Sequence, residues 1–217
     1  MAILTWDAAG TRKYELGVDH GVLYPFTSNA YSHGVAWNGL TKVTQSPDGA
    51  EAQDFYADNL KFGSIRSAET FGGNIECYTY PDEFLACNGE LELVKGITIG
   101  QQARQKFGFS YRTMAGDDSM AEPTDYIIHL VYGATASPSE SEYESINDSP
   151  EAMTFSYDFD TTPIPVKGHK PVSHLKINAS TLDPEKLKKI TDKLYGTETE
   201  EPTLPTPDEI VQLLNAA

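Results

Sequence analysis

The stretch Lys106-Phe107-Gly108-Phe109-Ser110-Tyr111-Arg112-Thr113 decides the fold class. Phe107, Phe109, Tyr111 and Thr113 fall on one side and Lys106, Gly108, Ser110 and Arg112 on the other, the period-two alternation of a strand with one buried face. The run Tyr126–Tyr132 keeps this period but is apolar on both sides: Tyr126, Ile128, Leu130 and Tyr132 oppose Ile127, His129 and Val131. That pattern predicts a central strand. Met153–Asp160 alternates again, with Met153, Phe155, Tyr157 and Phe159 set against Thr154, Ser156, Asp158 and Asp160.

Outward from these strands the β character persists. Val35–Thr44 carries Val35, Trp37, Thr41 and Val43 in strand spacing, and Ser46-Pro47-Asp48-Gly49 supplies turn chemistry at its end. Ala50–Leu60 has no period of two; a long loop with a helical turn is expected, with Phe55, Tyr56 and Leu60 as bulky anchors. Short β-like runs between glycines follow at Phe62–Arg66, Asn74–Tyr80 and Leu91–Gly100. Ala134–Pro150 is rich in Ser, Glu and Pro and reads as an exposed loop. Asp183-Pro184 opens a helix with Leu187, Ile190 and Leu194 as its apolar stripe and Gly196 as its stop. Past a linker, Thr206-Pro207-Asp208-Glu209 reads as a capping box before Ile210, Val211, Leu213 and Leu214, a tail helix that must dock to be stable. The expectation is one mainly β domain over residues 1–217, a β-rich core to about residue 179 and a helical segment from about 180.

Composition narrows the function. The 217 residues include 12 Tyr and 9 Phe, suited to pleated surfaces, and carry a formal net charge of −16. That charge is the inverse of a nucleic-acid binder's profile. Met1–Gly17 has no basic segment leading into an apolar run, so no secretory signal is expected, and no stretch is long enough to span a bilayer. Cys77 and Cys87 match neither a disulfide framework nor a zinc spacing and are expected to be reduced thiols. No phosphate loop, dinucleotide fingerprint, nucleophile elbow or His-Glu metal helix is present. His20, His33, His129, His169 and His174 are scattered without ligand spacing, and the pairs Asp82-Glu83, Asp117-Asp118 and Asp158 with Asp160 are what an acidic chain contains anyway. No catalytic residue, metal or cofactor is expected.

Three strings carry a family likeness: Tyr78-Thr79-Tyr80-Pro81-Asp82-Glu83-Phe84; Gly100-Gln101-Gln102-Ala103-Arg104 leading to Phe107–Thr113; and Ile146-Asn147-Asp148-Ser149-Pro150-Glu151-Ala152-Met153-Thr154-Phe155. With His129-Leu130-Val131-Tyr132 between the second and third strings and Thr161-Thr162-Pro163 after the third, over roughly Leu16 to Pro165, the chain resembles the major tail tube proteins of siphophages, particularly those infecting Gram-positive hosts. The resemblance implies a tail-tube β-sandwich with a flanking helix. It implies stacked hexameric rings in which inner sheets of neighbouring subunits join into one continuous β-barrel, leaving no free edges. The implied partners are the protein itself, a tape-measure protein, and tail terminator and distal-tail proteins, in a virion tail assembled in the host cytoplasm. Phage DNA would pass without specific binding, repelled by negative charge on the bore. On this reading Thr154, Ser156, Asp158 and Asp160 are the lumen-facing candidates, with Glu69 and Glu76 behind them, although alternation alone leaves a solvent-facing role equally open. Phe55, Tyr56 and Leu60 would reach a neighbouring subunit or ring, with packing into their own subunit's core the alternative. Two other readings stand beside it: the tube of a contractile tail or injection apparatus, and a soluble β-sandwich carbohydrate-binding module using Trp6 and Trp37 as sugar platforms.

Overall fold

The computed structural model describes residues 4, 6–49, 51–119, 122–146 and 152–215. The chain is mainly β. Its strands are β1 (Lys13–Thr27), β2 (Ala30–Tyr31), β3 (Val35–Trp37), β4 (Leu40–Gly49), β5 (Ala52–Ala57), β6 (Leu60–Arg66), β7 (Glu69–Cys77), β8 (Leu91–Val94), β9 (Ile97–Ile99), β10 (Phe107–Asp117), β11 (Asp125–Ala136), β12 (Phe155–Thr161) and β13 (His174–Asn178). The helices are α1 (Phe84–Cys87), α2 (Pro184–Tyr195) and α3 (Pro207–Asn215).

One antiparallel sheet runs β2-β1-β10-β11-β12-β7-β4, with β3 also paired to β1 and β13 to β11. β11 changes partner along its length: residues 127–131 pair with β13, and residues 134–136 pair with β12. Gly133 sits at the handover with φ +62, and a Cβ there would collide with the carbonyl oxygen of Thr162. The sheet thus folds into two walls. β1, β10, β11 and β13 form one, β12, β7 and β4 the other, and β3 leads from β1 into β4 through Gly39 at φ +74. Between them lies a core of Leu23, Trp37, Ile75, Phe84, Phe107, Phe109, Val131, Tyr157 and Phe159. Helix α1 contributes Phe84, whose ring meets those of Trp37 at 4.6 Å and Tyr157 at 4.8 Å. The mainly β architecture agrees with the β-sandwich with a flanking helix that the resemblance implies, and two helices, α2 and α3, flank it.

A second core covers the outer face of the first wall. Val22, Tyr24, Ile128, Leu130, Tyr132 and Ile177 pack there against Ile190 and Leu194 of α2, Leu204, and Ile210 of α3. The alternation of β10 therefore gives a strand covered on both sides: Gly108 and Ser110 are buried beneath the C-terminal segment. Tyr24 donates to the carbonyl of Leu194 at 2.7 Å, and Tyr132 to that of Pro205 at 2.9 Å, so the polar tips of buried rings fasten the helical layer. Asp183 caps α2 by accepting from Glu185 N, and Thr206 and Glu209 cap α3 reciprocally, as their sequence signals predict.

Four expectations need correction. The turn expected at Ser46–Gly49 and the loop expected over Ala50–Leu60 both give way to strands. β4 runs through Ser46–Gly49, tolerating Pro47 because it lies at the end of the strand order, where a missing N–H costs no ladder bond. β5 and β6 then pair across Asp58-Asn59, whose φ values of 51° and 62° are those of a two-residue hairpin turn matched to strand twist. Met153 precedes β12 and is 45% exposed, not core. Trp37 is 2% exposed and donates its indole N–H to the Thr79 carbonyl, so it is no sugar platform; Trp6 is 79% exposed.

Candidate functional site

The candidate residues divide between two surfaces. The first is the outer face of the β4–β7–β12 wall. Phe155, Tyr157 and Phe159 turn inward, so Ser156, Asp158 and Asp160 face out, as their alternation predicts. Register extends this face over three strands. Lys42, Glu76 and Ser156 form one cross-strand row; Thr44, Asn74 and Asp158 the next; Ser46, Gly72 and Asp160 the third. Asn74 Nδ2 donates to Ser156 Oγ at 2.8 Å and to Asp158 Oδ1 at 2.7 Å. Ser137 Oγ donates to Asp160 Oδ2 at 3.2 Å. Lys42 pairs with Glu76 at 2.9 Å, which leaves the carboxylates of Asp158 and Asp160 as the unbalanced charge of the three rows.

Glu76 thus joins the face through both neighbours, whereas Glu69 does not. Seven positions separate them on an unbulged stretch of β7, which sends their side chains to opposite sides. Thr154 is exposed but lies before the first residue of β12, at the end of the face. Gly73, paired with Phe159, has no room for a Cβ: it would meet the Thr44 carbonyl oxygen and the Phe159 ring. The aromatic ring covering that glycine holds β12 and β7 in register.

The second surface is an arm. β5 and β6 continue the β4–β7 pairing outward, and every residue of both strands is exposed except the partly covered Gly63. Phe55 lies over Gly63 and meets Phe62 at 5.8 Å. Tyr56 is 68% exposed, Phe62 74%, and Leu60 and Ile65 are similarly bare. The three expected anchors do project from the body, and Phe62 and Ile65, which sequence reading passed over, belong with them. A smaller hairpin repeats the arrangement: β8 and β9, turned at Lys95-Gly96, expose Leu91, Leu93, Val94 and Ile97. An isolated two-stranded hairpin is at best marginally stable in water, so exposed apolar arms of this kind gain most when covered.

Among the described residues no group of three or more His, Cys, Asp or Glu side chains is arranged to hold a metal ion, and no helix is long and apolar enough to cross a membrane. Cys77 and Cys87 are free and buried, and burial raises the Cys87 thiol to about 12. Of the third resembling string, residues 147–151 lie outside the described residues. The chain matches no protein-family model, and no curated protein is significantly similar to it.

Proposed function

We propose that the protein is a self-assembling structural subunit, the tail tube protein of a long-tailed bacteriophage, stacking as hexameric rings into the conduit for DNA ejection. The observation that carries this reading is the β5–β6 arm, an apolar hairpin that no described residue of its own body covers. A strand at the end of the sheet order offers unpaired backbone for β-addition by a neighbour, the route to a continuous inter-subunit barrel. The polar face of Ser156, Asp158, Asp160 and Glu76 is the bore lining in this arrangement. Sixfold repetition turns each unbalanced carboxylate into a ring of negative charge that repels phosphate. The likeness of the strings between Leu16 and Pro165 to siphophage tube proteins supports this specific reading. Tape-measure, terminator and distal-tail proteins are the partners that this reading brings.

Negative-stain microscopy of the purified protein tests the reading, with tubes of constant diameter or rings expected. The variant Phe55→Ser/Tyr56→Ser should stay folded yet fail to polymerise. Normal tubes from it would remove the arm from the assembly, and a wild-type chain that stays monomeric at high concentration with every tail partner present would sink the proposal.

A further inference from the structure

At the end of the sandwich beside the arm, the two walls are joined by a polar bridge through an otherwise apolar core. Gln45 of β4 reaches across to Tyr111 of β10, His129 of β11 and His174 of β13. Its Nε2 lies 3.2 Å from His129 Nδ1 and 3.3 Å from His174 Nε2, and those two ring nitrogens are 3.3 Å apart. Phe71 of β7 stacks on His174 at 5.0 Å, and Tyr111 stacks on His129 at 4.6 Å, so both rings are held from both walls.

The proton positions follow from the neighbours. Thr113 donates its hydroxyl to Glu15 Oε2 at 3.0 Å, which leaves its oxygen to accept from His129 Nε2–H at 3.1 Å. His129 Nδ1 is then a bare lone pair, and it accepts from His174 or Gln45. Three nitrogens packed this closely are stable only while at least one lacks a hydrogen. The charged groups around them do not compensate further protonation. Lys176 lies opposite His129 in the β11–β13 register, and Glu15 of β1 touches the pair only through Thr113. The groups presented by β4, β7 and β10 are Gln45, Phe71 and Tyr111, none of them anionic at neutral pH. A cleft of about 250 Å³ lined by Val18, Val43, Tyr111 and Thr113 lies beside the Tyr111 and Thr113 ends of the bridge, and His174 itself is partly exposed.

We propose that His129 and His174 form a proton-operated latch: neutral, they tie the β4–β7 wall and the base of its arm to the β10–β11–β13 wall, and protonated, they release it. Reversing the Gln45 amide offers one oxygen to both rings, but two imidazolium ions 3.3 Å apart beside Lys176 still repel. The inference rests on contacts within one chain and stands whether or not the chain builds tubes.

Amide hydrogen exchange, corrected for the intrinsic pH dependence of exchange, tests it on the full chain at a concentration where it is unassembled. Between pH 7 and pH 4.5, protection over β4 and β7 should fall at least tenfold while that of β1 and β10 holds. His129→Asn/His174→Gln, which keeps hydrogen-bonding groups without the titration, should abolish the differential. If that double variant does not fold, His174→Gln alone should shrink it, and imidazole nitrogen shifts of the wild-type chain must show the pair neutral at pH 7 and taking up protons as pH falls towards 4. Uniform loss of protection across both walls, or an unchanged differential in a folded variant, would overturn the latch.

Discussion

The two walls of the sandwich share one core but differ in what lies behind them. The β1–β10–β11–β13 wall is covered on its far side by α2, α3 and the segment between them, and its central strands β10 and β11 are buried on both faces over much of their length. Among the described residues the β12–β7–β4 wall has no such layer: its far side is the face of Ser156, Asp158, Asp160, Asn74 and Glu76. Charge follows cover. A strand between two apolar layers cannot carry unpaired carboxylates, whereas one bare face can hold them at little cost. The bare wall is also the one from which the β5–β6 arm extends, so the charged face and the larger apolar arm belong to the same wall.

The sharpest test of the difference is truncation under the helical layer. Leu194→Ala should destabilise the chain by about 2–5 kcal/mol, the usual cost of deleting a fully buried aliphatic side chain, measured by denaturant unfolding. A loss below 1 kcal/mol would mean that the helices are an appendage and that the two walls differ less than their burial implies.

Acid should act next most strongly, where the walls are joined. Burial pushes His129 down to about 4, helped by His174 and Lys176; burial and Lys176 do the same to His174. A histidine held low in the folded state binds its proton more readily when unfolded. The stability it contributes is complete above pH 6.5 and is lost as pH falls towards 4. Allowing for the partial exposure of His174, the pair should cost about 2–3 kcal/mol over that interval, and His129→Asn/His174→Gln should flatten the profile.

The smallest stability effects belong to the bare wall. Asp158→Lys/Asp160→Lys should change monomer stability by about 1 kcal/mol at most, since both positions are exposed. On the proposed tube function, the same pair should slow DNA ejection most at low salt. Ejection at the wild-type rate across low and moderate salt would take these carboxylates out of the bore.

Periodicity located the strands with strong patterns, β10, β11 and β12, and end signals located α2 and α3. It could not show that a C-terminal layer lands on β10, because Lys106, Gly108, Ser110 and Arg112 look like a wet face; two of them are covered by a segment nearly a hundred positions later. β1, the longest strand, escaped because register shifts at Leu16/Asp19 and Asp19/Val22 break its alternation. The arm was hidden by Pro47 and Gly49, which imitate a turn, and by a true turn written Asp58-Asn59 instead of with the usual glycine. The polar face was accessible from β12 alone, but the partnership of Glu76 and the separation of Glu69 required the register between strands. His129 and His174 lie 45 positions apart and carry no spacing signal; only the pairing of β13 to β11 brings them together.

The burial of Trp37 also equips the molecule with its own optical gauge. Its indole is enclosed by Phe84, Phe109 and Tyr157 where β3, α1, β10 and β12 converge, while Trp6, the other tryptophan, stands in solvent. Fluorescence from the intact protein should therefore contain a blue component that vanishes when the core opens and a red one that does not. Closure of the two walls can be followed without attaching any label.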